Sequence, residues 1–321
     1  MIASDSETDV ERRYLFLASS PYSGSTLMSY LLAAHPRIAT VSDVSGTRRS
    51  AQMDSFECSC GVRMLDCPFW IELRDQAQRR GLRDLDLADF QLGFDHQGAG
   101  PLAKARARSL RWSRLETMRD VALMPFAGRA MRRIGERNWA FANTLLDVQD
   151  ADVFVDASKE RLRIRNLRRY LPTRLRVLHL VRDVRGVVDS TMRRAKVHGG
   201  AEQIARVWGR TNDSILRQLD ELPPSEWCRV RYEDLCQDVS GVMSKVYRFC
   251  GVDDRMPLRP VGAGVHLLGN RMRLDAPRSI RLDERWRSNL TAETQEAVVR
   301  TAGKAFRVVY ADRDVSHGER R

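Results

Sequence analysis

The segment from Tyr14 to His35 constrains the fold more than any other part of the chain. It begins with an apolar run over residues 14–18, which has the length of a buried strand. Small residues with turn-forming chemistry follow at 19–24, and apolar residues at helical spacing then continue until Pro36. In such a strand–loop–helix unit, the loop N–H groups and the helix N-terminus favour negative charge at one point. The segment therefore predicts an anion-binding loop.

This loop matches the nucleotide-binding P-loop, G-x-x-x-x-G-K-[ST], only in part. Aligned on Ser19 to Thr26, the second glycine falls on Gly24 and the final hydroxyl on Thr26, but Ser19 replaces the first glycine and Ser25 the lysine. Without that lysine there is no charge at the β- and γ-phosphates, which argues against an ordinary ATPase or GTPase. The pattern favours another phosphate-like ligand. The alternative is a serine-rich turn that binds nothing.

The composition of the chain indicates its domain organisation and the kinds of ligand or partner that suit its charge. The chain has 321 residues, 43% hydrophobic content and a net charge of +12, which fits one large α/β domain with an anionic ligand, nucleic acid or membrane surface as partner. No apolar run approaches the roughly 18 residues of a transmembrane helix. Residues 1–12 are polar and are interpreted as a disordered lead-in rather than a signal peptide. The expectation is a soluble, cytoplasmic protein.

Strands and helices alternate along the remaining chain. Further strands are predicted at 37–41, 152–155, 175–181 and 227–232, with helices at 161–170, 239–250 and 291–307. This alternation predicts an α/β fold whose mainly parallel, P-loop-like sheet is covered by helices on both faces. Residues 44–150 are predicted to be a mostly helical insertion over the site. The whole is interpreted as a single domain over 13–310, with a polar tail at 311–321.

Charged residues follow several predicted strands. Asp43 follows the second strand, Lys159 the third and Arg182 the fourth, and ligands in α/β folds bind at this end of a parallel sheet. Ser190 lies eight residues after Arg182, about two helical turns along, where its hydroxyl could bind the same phosphate as the arginine. The alternatives are a capping or turn role for Asp43 and a salt bridge from Arg182 to Asp183 or another acid.

Three cysteines lie close together in the sequence, at Cys58, Cys60 and Cys67. A structural zinc site normally has four ligands, and no fourth cysteine or histidine lies nearby in the sequence. The sequence therefore favours a packed cysteine-rich turn over a zinc site. Six cysteines in a chain of this length do not indicate a disulfide scaffold.

A basic run extends from Lys104 to Arg137, with ten Lys or Arg against three acidic residues. Apolar residues such as Leu115 and Met118 recur at helical spacing within it, which predicts helices with one buried stripe. The charge excess favours an acceptor substrate that is anionic or lies on an anionic surface. The alternative is a solvated basic face.

The motifs together resemble the sulfotransferases that use 3′-phosphoadenosine-5′-phosphosulfate (PAPS), over roughly 13–43 and 151–307. Ser23-Gly24-Ser25-Thr26 is similar to the family's 5′-phosphosulfate loop, S-G-[ST]-T. Arg182 with Ser190 is similar to its 3′-phosphate motif, which has the same spacing.

Other segments strengthen the resemblance. Asp156-x-Ser158-Lys159 resembles a D-S-S-K segment of bacterial members, and Tyr232 begins a segment that resembles the family's Y-E-D-L. The stretch His266-x-x-Gly269-Asn270, with Arg271 or Arg273, resembles the C-terminal cofactor loop. The block of three cysteines is also similar to one found in some bacterial members.

The resemblance implies sulfuryl transfer from PAPS to a hydroxyl or amine, with adenosine 3′,5′-bisphosphate as product and no metal requirement. One departure is that Tyr22 occupies the position of the usual loop Lys or Arg. Lys159 is the candidate for the missing cation, and its alternative role is a surface ion pair with Asp156 or Glu160. Asp43 occupies the position of a glutamate in related members and is the candidate general base.

Two other function classes are compatible with parts of the sequence. A P-loop-type nucleotide kinase would explain the loop, but Ser25 stands where its lysine should be. A non-enzymatic nucleic-acid-binding protein would explain the basic charge, but no nucleic-acid motif is present and no nucleic-acid partner is expected. The sequence names neither the acceptor nor the oligomeric state.

Overall fold

The computed structural model describes residues 11–44, 56–83, 85–87, 92–94, 101–102, 105, 113–160, 162–194, 200–269 and 271–311. Most of the predicted lead-in and tail, and parts of the predicted insertion, lie outside these ranges. Among the described residues, no helix has both the length and the apolar character needed to cross a membrane.

The described strands and helices follow the predicted alternation. The strands are β1 (Arg13–Ala18), β2 (Ile38–Ser42), β3 (Val153–Asp156), β4 (Leu175–Val181) and β5 (Trp227–Arg231). The helices are α1 (Ser25–Ala33), α2 (Pro68–Arg79), α3 (Ser113–Gln149), α4 (Arg163–Tyr170), α5 (Val184–Arg194), α6 (Ala201–Leu219), α7 (Tyr232–Gln237), α8 (Val239–Cys250), α9 (Trp286–Asn289) and α10 (Ala292–Tyr310).

The strands form one parallel sheet in the order β2-β3-β1-β4-β5. Because successive side chains of a strand point to opposite faces, β1 contributes to two cores. Tyr14 and Phe16 pack with α2, α3 and α4, whereas Leu15 and Leu17 pack with α1 and α8. The predicted parallel sheet with helices on both faces is therefore confirmed.

Helices α2 and α3 contain most of the described residues between β2 and β3. The sequence predicts that Leu115 and Met118 belong to a buried stripe. Their exposed fractions are 50% and 66%, so this prediction is wrong. The buried core positions described on α3 begin at Met131, because α2 and the sheet pack against the second half of this helix.

A buried ionic cluster joins the sheet to the insertion. The Asp156 carboxylate at the end of β3 accepts hydrogen bonds from the Tyr14 hydroxyl at 2.9 Å and from Arg163 Nε at 2.8 Å. Arg163 on α4 also contacts the Glu160 carboxylate at 3.0 Å and donates to Asn138 of α3. Both Asp156 and Arg163 are fully buried. Because buried charges require partners, this cluster fixes how β3, α4 and α3 meet.

The strand order also fixes where a ligand can bind. In the strand order, β3 and β2 lie to one side of β1, and β4 and β5 lie to its other side. Such a switch point opens a crevice at the carboxyl ends of the neighbouring strands. Across the sheet, the residues that follow the strand ends are in order Asp43, Lys159, the loop after β1, Arg182 and Tyr232.

Candidate active site

The loop after β1 is shaped by its small residues and by two left-handed backbone positions. The hydroxyls of Ser20 and Ser23 lie 2.7 Å apart, and both side chains are buried. Tyr22 and Gly24 have φ values of 62° and 92°, and α1 begins immediately afterwards. The buried Ser19 hydroxyl has no hydrogen-bond partner among the described residues. The loop therefore places its serine hydroxyls beside the N-terminus of α1, where an anion is favoured.

Gly24 is required by close packing as well as by its backbone angle. A Cβ atom at this position would lie 2.6 Å from Cδ2 of Tyr232, so the phenol ring lies directly against the loop. The guanidinium of Arg182 lies 4.5 Å from the centre of the same ring. Gly24, Tyr232 and Arg182 are therefore in one continuous stack, although they follow three different strands.

Arg182 and Ser190 are in contact, as their spacing predicts. The guanidinium of Arg182 donates to the Ser190 hydroxyl at 3.2 Å and to the Tyr22 carbonyl at 3.3 Å. Its acidic partner is Asp283, at 3.3 Å. The neighbouring acid, Asp183, instead pairs with Arg185 at 2.6 Å.

Asp283 is a site residue that the sequence did not indicate. Its carboxylate accepts a hydrogen bond from Arg285 at 2.7 Å and lies 3.3 Å from Arg193. The hydrogen bond from Arg285, together with the nearby charge of Arg182, holds the pKa of Asp283 well below its usual range. The carboxylate is therefore ionised throughout the physiological pH range.

These groups surround a solvent-open cavity of about 190 Å³. The predicted site residues that line it are Tyr22, Gly24, Ser25, Thr26, Arg182, Ser190 and Tyr232. Tyr30, Arg194 and Arg281 line it as well and were not predicted. Three arginines, the N-terminus of α1 and several hydroxyls make the cavity suitable for an anion with more than one charged group.

Lys159 and Asp43 lie at neighbouring strand ends rather than in the lining of this cavity. The Lys159 residue is exposed as a whole, but its ammonium turns back and donates to the Ala157 carbonyl at 2.7 Å. Burial of the ammonium lowers the pKa of Lys159 to about 8, and the nearby carboxylates of Asp43 and Asp156 oppose this shift. The lysine is therefore a cation at pH 7 that loses its proton at mildly alkaline pH.

Only part of the segment that resembles the family's C-terminal cofactor loop lines the cavity. Arg273 is buried and donates to the Glu57 carbonyl at 2.7 Å and to the Gly269 carbonyl at 2.9 Å. Arg271 is exposed, and neither arginine nor Gly269 lines the cavity. Asn270 lies outside the described residues. Arg273 thus holds the loop in shape, while residues 272–283 supply its contacts to the cavity.

The cysteine cluster requires a correction to the sequence interpretation. A fourth potential ligand does lie nearby in space, because His266 meets Cys58, Cys60 and Cys67. The sequence pattern did not indicate this ligand, because His266 follows Cys67 by 199 residues. None of the six cysteines of the chain, all of which are described, forms a disulfide.

Comparison with known protein families shows which class of protein the chain belongs to. Residues 94–256 match the model of the sulfotransferase family, which amounts to half of the chain. The chain therefore belongs to the sulfotransferase family. The matched segment includes Lys159, Arg182, Ser190 and Tyr232, whereas the loop after β1 lies before it.

One solved structure in particular shows the same fold. The sulfotransferase domain of an olefin synthase from Synechococcus PCC 7002 is 18% identical, with 98% of each chain covered and a TM-score of 0.51. Sulfotransferase STF9 from Mycobacterium avium is 15% identical, with 91% of this chain and 76% of that chain covered and a TM-score of 0.47. No curated protein matches the chain in sequence.

Family and fold confirm the resemblance inferred from the motifs. They support a transferase over the two other function classes considered, a nucleotide kinase and a nucleic-acid-binding protein.

Proposed function

We propose that this sulfotransferase moves the sulfuryl group of PAPS to a hydroxyl or amine of an acceptor. One observation carries the proposal: a single cavity joins the N-terminus of α1 to the Arg182–Ser190 pair. PAPS has anionic groups at both its 5′ and its 3′ position, so a cavity with two separate anion-binding features suits it. A ligand with only a 5′-phosphate would have no second anionic group for Arg182 to bind.

The residues of the cavity fit the donor. The backbone of residues 23–26 and the side chains of Ser25 and Thr26 would hold the 5′-phosphosulfate, since a helix N-terminus favours an anion. Arg182 and Ser190 would bind the 3′-phosphate, and Tyr232 would line the nucleoside side. The contacts predicted between the donor and the C-terminal loop stay a prediction, namely those of Gly269, Asn270, Arg271 and Arg273. When bound, PAPS supplies an activated sulfuryl group and a bisphosphate leaving group.

Catalysis would depend on positioning and electrostatics, as in phosphoryl transfer. Lys159 would stabilise the negative charge that develops on the leaving oxygen, because Tyr22 replaces the usual loop Lys or Arg and its phenol cannot carry a positive charge. Asp43 would accept the proton of the acceptor. Both residues follow strands on the far side of β1 from Arg182, so the proposed position of the acceptor is on that side of the crevice.

The proposed acceptor carries negative charge or is presented by an anionic surface. Within the described part of the basic run, Arg129, Arg132 and Arg133 are exposed on α3. A basic surface raises the local concentration of an anionic acceptor and its rate of association. This proposal concerns the acceptor alone and is independent of the donor.

Adenosine 3′,5′-bisphosphate is expected to stabilise the protein against thermal unfolding. At about 100 times its dissociation constant, the ligand should add roughly 2.7 kcal/mol to the free energy of unfolding. Differential scanning fluorimetry with the bisphosphate measures this effect. Adenosine 5′-monophosphate is the matched control, because it lacks only the 3′-phosphate and should stabilise less.

A shift with magnesium–ATP and none with the bisphosphate would contradict the proposal and favour a kinase. Activity is then tested with labelled PAPS and a panel of phenols, sugars, lipids and peptides. Sulfated product in one class identifies the acceptor.

Arg182→Ala is expected to weaken bisphosphate binding by roughly 10- to 100-fold, because it removes charge-assisted hydrogen bonds to the 3′-phosphate. Ser190→Ala removes one neutral hydrogen bond and should weaken binding by less than about tenfold. Isothermal titration calorimetry measures both. Arg185→Ala is the control, since Arg185 is also ion-paired and stacked on an aromatic ring but does not line the cavity. Wild-type affinity in both Arg182→Ala and Ser190→Ala would rule out the 3′-phosphate assignment.

A further inference from the structure

The four residues of the cysteine–histidine cluster come from two distant parts of the chain. Cys58 and Cys60 lie in a tight turn, and Cys67 immediately precedes α2. His266 lies in the loop that leads to the cavity. The Nδ1 atom of His266 is 3.4 Å from the sulfur of Cys58 and 3.5 Å from that of Cys67. The sulfurs of Cys60 and Cys67 are 3.6 Å apart.

These separations match the edges of a tetrahedral zinc site. With Zn–S bonds of about 2.3 Å and Zn–N bonds of about 2.0–2.1 Å, a tetrahedron has S···S edges of about 3.7 Å and S···N edges of about 3.5 Å. All four ligand atoms of the cluster lie within 4.8 Å of one another. The Cys60–Cys67 separation is far longer than a disulfide bond, which is about 2.05 Å. One ion can therefore contact all four residues with small adjustments of their side chains.

Backbone N–H groups donate towards two of the sulfurs of the cluster. The backbone N–H groups of Phe69 and Trp70, at the start of α2, donate towards the sulfur of Cys67, and that of Val62 donates towards Cys60. Such donors stabilise the negative charge of sulfur ligands. The ring of Phe69 stacks on the imidazole of His266, with 4.2 Å between centroids and 6° between planes. The imidazole is thereby held in the orientation that directs Nδ1 to the sulfurs.

We propose that Cys58, Cys60, Cys67 and His266 bind one Zn²⁺ ion as a structural site. Three thiolates and an imidazole are soft and borderline ligands that suit zinc rather than magnesium or calcium. Four protein ligands complete the tetrahedron and leave no position for a substrate, so the ion has no part in sulfuryl transfer.

The ion would fasten the segment around the cysteines to the loop after His266. The Ser59 hydroxyl already links these two segments, since it donates to the Val265 carbonyl and accepts from the Leu267 N–H, both at 2.7 Å. The Leu268 N–H then donates to Val41 at the end of β2, at 2.8 Å. Zinc would thus hold the start of the loop whose later residues line the cavity. Its effect on donor binding rests on the proposed function, whereas zinc binding itself does not.

Metal content is the direct test. Protein purified without added metal and passed through a metal-scavenging resin should contain about one zinc per chain by inductively coupled plasma mass spectrometry. Cys60→Ser and His266→Ala should each lose most of this zinc. Cys228→Ser is the matched control, because Cys228 lies on β5 outside the cluster, and its zinc content should equal that of the wild type.

Two measurements on the wild type remain decisive where a variant fails to fold. Titration of the thiols with a mercurial should release one zinc per chain, detected with a chromogenic chelator. Replacement by Co²⁺ should give the visible absorption and the thiolate-to-cobalt charge-transfer band of a tetrahedral site with sulfur ligands. A metal-free protein that gives no cobalt spectrum, or a Cys60–Cys67 disulfide in peptide mass spectra of the native protein, would overturn the proposal. Bisphosphate binding is measured separately, so its failure is distinguishable from absence of the metal.

Discussion

Replacing Lys159 with alanine is expected to lower kcat by about 100-fold or more, while the affinity for adenosine 3′,5′-bisphosphate changes only a few-fold. Loss of one preorganised electrostatic donor typically has this effect on kcat. The affinity for product changes little because the interaction strengthens only as charge develops on the leaving oxygen. Steady-state kinetics with labelled PAPS and calorimetry with the bisphosphate measure the two quantities.

Tyr22→Phe is the matched comparison for Lys159→Ala. Tyr22 lines the cavity but contributes only a neutral hydroxyl, so its removal should cost less than removal of the ammonium. Near-normal kcat in Lys159→Ala together with a nearly inactive Tyr22→Phe would reverse the assignment. The phenol would then be the group that acts in the transition state.

The pH dependence gives a second test of Lys159. Because its pKa is lowered to about 8, the ammonium is charged below that pH and loses its proton as the pH rises through it. kcat should therefore decline above about pH 8 if Lys159 acts as a cation. Lys159→Arg keeps its charge at higher pH and should shift this decline upward. An unchanged alkaline limb in an active Lys159→Arg variant would contradict the role.

Arg163→Met is expected to lower the free energy of unfolding by about 3–5 kcal/mol. Removing one partner of a buried ion pair leaves the other charge buried and uncompensated, and Asp156 is fully buried. The Glu160 carboxylate, only 6% exposed, would lose the same partner. Urea unfolding followed by circular dichroism measures the change.

Arg165→Met is the control for Arg163→Met on the same helix. Arg165 pairs with Glu221 at 2.7 Å, but the glutamate side chain is 46% exposed. An exposed pair of this kind contributes at most about 1 kcal/mol. Equal losses in both variants would show that the Asp156–Arg163 cluster has no special role in stability.

The parts of the fold that local sequence determines were predictable. The predicted bounds of β4 and α8 coincide with those observed, because an apolar run defines the strand and an apolar stripe ending before Gly251 defines the helix. The contact between Arg182 and Ser190 was predictable for the same reason, since regular helix geometry relates a spacing in sequence to a distance in space.

The rest of the site depends on packing between distant segments. Asp283 reaches Arg182 across 101 residues, from a stretch with no strand or helix pattern to place it. His266 meets the cysteines because its loop crosses the end of β2, which no local pattern reveals. The exposure of Leu115 and Met118 likewise follows from which half of α3 has helices against it. Sequence periodicity locates an apolar face but not the element that covers it.

Under the proposed function, the pairing of Arg182 with Asp283 would make donor binding an exchange of counter-ions. The arginine already has an ionised carboxylate at 3.3 Å, so an arriving anion gains only the difference between two ion pairs. A monovalent anion offers little more than the carboxylate it would displace, whereas a phosphate dianion offers greater charge and an additional oxygen for Ser190. Under the proposed function, Asp283 would therefore favour a phosphate dianion over chloride and other small monovalent anions at Arg182.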